Sequence, residues 1–119
     1  MRYLVHDVGA AVSFYVDELG FELVQRFGAA IAIVRLGDLD LWLAGPEASA
    51  ARPMPDGRRP GPGGWNRLVI EVDGLDARVE ALAASGVGFR NEVVEGPGGR
   101  QILAEDPSGN VVELFERGS

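Results

Sequence analysis

Two stretches of this chain repeat one another, and that repeat narrows the possible folds more than any other feature. Residues 5–23, VHDVGAAVSFYVDELGFEL, run in step with residues 72–89, VDGLDARVEALAASGVGF. Val5 aligns with Val72, Val8 with Leu75, Val12 with Val79 and Tyr15 with Leu82, and a one-residue gap then brings Gly20 onto Gly86. In both stretches the apolar residues recur at helical spacing, and the glycine supplies a left-handed stop. Asp7 and Asp73 stand near the two helix starts, where a carboxylate can cap free amides. Three strands are predicted after each helix, over 22–27, 30–36 and 39–44 and then over 87–94, 100–105 and 111–117. Each half therefore reads strand-helix-strand-strand-strand. A half this small buries too little surface alone, so the two are expected to share one core. The predicted class is α+β: a single domain of two tandem βαβββ modules, 1–44 and 66–117, joined by a Gly/Pro-rich loop over 45–65.

Composition removes several alternatives. A chain of 119 residues that is 46% hydrophobic suits one compact domain. It has no cysteine, which excludes disulfides and thiolate metal sites. The absence of a membrane-length apolar run and of signal-peptide regions predicts a cytoplasmic protein with no membrane partner. The net charge of −7 argues against a nucleic-acid partner, which needs clustered positive charge. An acidic surface suits small cationic or neutral ligands, or simply keeps the protein soluble. The loop GPEASAARPMPDGRRPGPGG lacks apolar periodicity, and a loop this long in a small domain is more often functional or mobile than inert.

The βαβββ duplication, the FYVDELGFEL stretch and the ending DPSGNVVELFE together resemble the vicinal oxygen chelate superfamily. This group includes glyoxalase I, extradiol dioxygenases, fosfomycin-modifying enzymes and bleomycin resistance proteins. The resemblance covers residues 3–117. It implies two modules whose curved mixed sheets surround a shared cavity, often completed in a homodimer.

Strand alternation assigns faces. In GDLDLWLAG, Leu39, Leu41 and Leu43 take the side packed on helices, so Asp40, Trp42 and Ala44 face the cavity. In the closing strand Val112 and Leu114 take the core side, while Val111, Glu113 and Phe115 face the cavity. Metal-dependent members of the resembled family hold a divalent ion with a His or Glu from the start of each half's first strand and a Glu from the end of each half. Glu113 falls on the last of these positions. Asp40 is taken as its counterpart, with Leu41 selected if the register slips by one. Five residues before Val72 stands Arg67, and five before Val5 lies off the chain. An arginine cannot deprotonate to bind a metal, and its charge repels one. The sole histidine, His6, lies outside the matched positions. The expectation is a member without a metal or other cofactor, in which Arg67 pairs with Glu113 and Arg2 with Asp40. Such pairs can equally be structural filling.

Three readings follow. The first is a bacterial protein of the bleomycin resistance type that sequesters a small molecule, such as an antibiotic or natural product, without metal. Asp40, Trp42, Trp65, Arg67, Glu71, Glu113 and Phe115 are its candidate ligand contacts, with Arg52, Arg58 and Arg59 on the loop above. Indole faces stack on planar or cationic ligands. The second is a lyase, isomerase or dioxygenase that uses Glu113 as general base or a weak metal site of Asp40 and Glu113. The third is a partner-binding or purely structural domain with no small ligand.

Overall fold

The computed structural model describes residues 1–118, which divide into two compact units, Met1–Gly63 and the remainder from Gly64. The first unit contains β1 (Arg2–Leu4), α1 (Val8–Ser13), a π-helical turn (Phe14–Glu18), β2 (Glu22–Phe27), β3 (Ile31–Leu36) and β4 (Leu39–Ala44). Its strands lie in the order β1-β4-β3-β2. The second contains β5 (Arg67–Glu71), α2 (Leu75–Ala84), β6 (Gly88–Phe89), β7 (Val94–Gly96), β8 (Gly99–Glu105) and β9 (Val111–Arg117). These lie in the order β5-β9-β8-β6, with β7 also paired to β8. The first strand of each unit runs parallel to the last, and the other pairs are antiparallel. This is a mixed α+β architecture of two sheets and few helices, as the internal repeat predicts.

In the first unit Asp7 caps α1, its Oδ1 accepting the Ala10 amide at 2.9 Å. Tyr15 is fully buried and meets Phe14 and Phe21 edge to face, with ring centroids 5.0 and 5.4 Å apart. Gly20 then ends the helical run at a φ of +79°, a conformation costly for any residue with a Cβ. Val34, Leu41 and Leu43 supply the sheet's part of the core.

The second helix starts differently from the expectation. Asp73 is exposed and does not cap it; the residue before the helix is Gly74, and no side chain from that position bonds back. The cap comes from the far end of the chain, because Leu75 N donates to Glu116 Oε2 at 2.9 Å. Arg100 on β8 binds Asp76 through both terminal nitrogens and lies 3.9 Å from Glu116, which ties α2 to the sheet. The face on that side is apolar and buried: Leu68, Ile70, Ile102, Ala104, Val112 and Leu114.

The single strand expected over 87–94 is broken into β6 and β7. Arg90 still bonds Leu103 through its backbone, but the Leu103 amide donates to the side-chain Oδ1 of Asn91 at 3.0 Å. A side-chain amide thus substitutes for a backbone acceptor, and the ladder stops there.

The DPSGN segment is the turn between β8 and β9. Asp106 and Asn110 are both buried. Asp106 Oδ1 accepts the amides of Ser108 and Asn110, each at 2.9 Å, and Oδ2 accepts Asn110 Nδ2 at 3.1 Å. The most distinctive motif in the sequence is therefore a self-bonded turn that aims β9, and with it Glu113.

Candidate functional site

Each sheet has one face packed under its helix and one facing away. In the second unit the register sets Arg67 beside Val111, Val69 beside Glu113 and Glu71 beside Phe115. Leu103 and Gln101 on β8 continue the rows of Glu113 and Phe115. The away-facing side of this sheet therefore carries four of the seven candidate contacts: Arg67, Glu71, Glu113 and Phe115.

The pair expected between Arg67 and Glu113 forms. Nε and Nη2 of Arg67 donate to Glu113 Oε1 at 3.1 and 2.9 Å, and Nη1 donates to the Trp65 carbonyl oxygen at 3.2 Å. Glu113 is only 8% exposed, so its charge resides where an unpaired carboxylate would be costly. Its second oxygen, Oε2, makes no hydrogen bond among the described residues. Glu71 is exposed and held by Arg117, while Phe115 is half-buried.

Trp65 is 67% exposed, yet its position is fixed. The Arg90 guanidinium lies over its ring, 4.5 Å from the centroid. Arg90 also donates to the carbonyl oxygens of Gly64 at 2.7 Å and Gly109 at 2.9 Å, and to Glu105 Oε2 at 3.2 Å. Arg67 and Arg90 thus clamp the 64–65 backbone from two sides. Sequence reasoning missed Arg90 and Glu105. Alternation back from Val111 would have put Glu105 on the Glu113 face, but nothing in the sequence pointed from Arg90 to Trp65.

In the first unit two expectations change. Arg2 does not pair with Asp40; its guanidinium sits 5.2 Å from the centroid of the Trp42 ring. The partner of Asp40 is Arg35, directly opposite across the β3–β4 hairpin, with Nε–Oδ1 at 2.6 Å and Nη2–Oδ2 at 3.2 Å. The hydrogen bond from Arg35, followed by its charge, holds the Asp40 carboxyl below its ordinary value. A carboxyl lowered on folding adds stability above its unfolded value and loses it as pH falls through the folded one. Asp40→Asn is therefore expected to lower stability slightly at neutral pH and to leave it unchanged at pH about 3, which flattens the acid limb of the stability profile. Melting curves from pH 3 to 7 read this (about 4 pH units), and an unchanged acid limb would count against it.

The residue of the first unit that corresponds to Glu113 also differs from the expected Asp40. Val5 N bonds the Ala44 oxygen at 2.9 Å, and Val72 N bonds the Phe115 oxygen at 2.8 Å. Ala44 therefore matches Phe115. Stepping back two residues on each strand, Glu113 matches Trp42, neither Asp40 nor Leu41. Strand pairing agrees, since Arg2 faces Trp42 as Val69 faces Glu113. Of the metal-ligand positions implied by the resemblance, the three that fall within residues 1–118 hold Glu113, an indole and a guanidinium. Among the described residues no three potential ligands converge. One carboxylate with an oxygen already bonded to arginine does not fit a divalent ion.

His6 is exposed at the mouth of two shallow depressions of the first unit, of about 290 and 220 Å³, and Arg59 lines the smaller. Arg58 is held by Asp56 at 2.8 Å within the loop. Among the described residues no helix is long and apolar enough to cross a membrane.

The model of the Glyoxalase/Bleomycin resistance protein/Dioxygenase superfamily matches residues 1–114, and the chain belongs to that family. A bleomycin resistance protein of Geobacillus stearothermophilus is 27% identical over 120 residues, covering 95% of this chain and 91% of that protein. The crystal structure of TnmS3, an antibiotic binding protein from Streptomyces sp. CB03234, superposes with a TM-score of 0.74 at 28% identity, covering 99% of this chain and 93% of that one. A lactoylglutathione lyase from Agrobacterium tumefaciens superposes at 0.77, covering 98% and 90%; at 24% identity that likeness speaks for the fold alone.

Proposed function

We propose that this protein binds and sequesters a small aromatic organic molecule, of antibiotic or natural-product type, without a metal and without changing it covalently. The observation that carries this reading is an exposed, positioned tryptophan in each unit. Trp42 and Trp65, 38% and 67% exposed, each have a guanidinium over the ring. Exposed indoles held in place in this way offer planar stacking surface at little ordering cost. Phe115 and Val69 add apolar area, and the Arg67–Glu113 pair supplies a fixed polar point. The bleomycin resistance and antibiotic binding relatives support the same reading.

The donor set supports metal independence, since arginine and tryptophan stand where the resemblance implies ligands. We take the protein to be a homodimer acting in the cytoplasm; Leu23, Val24 and Phe27, exposed on β2, support association of two copies. Sedimentation at the mass of one chain would remove that part.

Tryptophan emission tests the main reading. Titration with a panel of aromatic natural-product antibiotics is expected to give saturable quenching by at least one member. Trp65→Ala is expected to weaken that ligand by about tenfold, the worth of one good stacking contact. No saturable response from any compound would reject sequestration.

A further inference from the structure

We propose that the ligand carries a hydrogen-bond donor, an amide or amine N–H or a hydroxyl, which Glu113 Oε2 accepts. This rests on the binding reading above and adds the polarity of the ligand's anchoring group. Three observations lead to it.

The first is an imbalance within one carboxylate. Both bonds from Arg67 go to Oε1, and Oε2 has no partner among the described residues. Most of the Glu113 side chain is buried, but Oε2 is not among the buried atoms that lack a partner, so it stays accessible to an incoming group. A carboxylate oxygen held in place in this way is a strong acceptor for a ligand's donor.

The second is that the cations alongside are already committed. Arg67 donates to Glu113 and to the Trp65 carbonyl; Arg90 donates to Glu105, Gly64 and Gly109 and covers the Trp65 ring. An anionic ligand would find neither guanidinium pointed at it and would meet the Glu113 charge. Both arginines serve the scaffold, and the acceptor is what remains on offer.

The third is the immediate neighbourhood. Val69 and Leu103 flank Glu113 in register on the adjacent strands, and Val69 is 55% exposed. A ligand's apolar body can rest on Val69 while a donor at its edge reaches Oε2. A donor on an otherwise apolar ring system fits this combination.

The test uses four probes with one ring system: 2-naphthamide and 2-naphthylmethylamine, which carry donors, and methyl 2-naphthoate and 2-naphthoate, which carry none. Affinities are measured by calorimetry on the full-length protein and on Glu113→Gln. The glutamine can keep a carbonyl toward Arg67 while turning an NH2 where Oε2 was. The wild-type protein is expected to bind the two donor probes about tenfold more tightly than the ester, as for one hydrogen bond to a charged acceptor. The naphthoate is expected to bind weakest, and Glu113→Gln to bring the donor probes within about twofold of the ester. Equal binding of the ester and the donor probes by the wild type would overturn the donor assignment and leave aromatic binding standing. An unchanged ratio in folded Glu113→Gln would overturn the role of Glu113. Failure of all four probes would overturn the assignment together with the binding reading. If Glu113→Gln does not fold, the wild-type ranking alone decides.

Discussion

Arg67→Met is expected to destabilise the protein by about 3 kcal/mol, most of it from stranding Glu113 rather than from losing Arg67 itself. Methionine retains the apolar length of the arginine stem, so packing changes little. What changes is that Glu113, 8% exposed, loses both of its bonds. Removing one partner of a fully buried pair costs about 3–5 kcal/mol; the low end applies because the Arg67 side chain is 29% exposed. The same mutation frees the Trp65 carbonyl and loosens one side of its clamp. Arg67→Met combined with Glu113→Leu is expected to recover most of the loss, since an apolar pair of similar volume replaces both charges. Urea unfolding of the wild type, both single variants and the double variant measures the coupling. A single-variant cost under about 0.5 kcal/mol would show that solvent already satisfies Glu113.

Asp106→Ala is expected to cost about 3 kcal/mol and to lower the melting temperature by roughly 10 °C. Its carboxylate accepts two amides and the Asn110 side chain within one buried turn. Alanine leaves the Asn110 amide and side-chain nitrogen without those acceptors at a position 3% exposed. Bonds to charged groups are each worth about 1.5–3 kcal/mol, and water entering the turn recovers part of the sum. Because this turn sets the start of β9 and its Gly109 carbonyl receives Arg90, residual folded protein should also bind ligand less tightly. A loss below about 1 kcal/mol would mean that the turn holds its shape without the carboxylate.

Most of the fold was legible because it is written in local periodicity. Helical spacing ended by Gly20 and Gly86, and alternation over 22–27 and 39–44, located elements whose bounds the structure reproduces closely. The break between β6 and β7 was not legible. It depends on the Asn91 side chain bonding an amide on another strand, which leaves no trace in the apolar pattern.

The site was legible where two residues share a strand face and illegible where the answer depends on parallel register. Arg67–Glu113 followed from matched positions. The Glu113 counterpart did not, because counting along loops cannot place β4 against β1; only the bonds from Val5 and Val72 do so. Arg35–Asp40 was within reach, since Leu36 faces Leu39 around the Gly37–Asp38 turn and the next pair outward is 35 with 40. The claim on Arg2 obscured it. Arg90 was beyond reach, because its partners at 64, 65, 105 and 109 converge only in three dimensions.

Metal content decides between an organic ligand and a metal at Glu113, read by elemental analysis of tag-free protein incubated with nickel, zinc and manganese and then desalted. No retained metal beyond traces is expected, because Arg67 holds one oxygen of Glu113 and Trp42 occupies the matching place in the first unit. Retention near one ion per chain, lost in Glu113→Ala, would contradict it and return the protein to the metal-dependent side of its family.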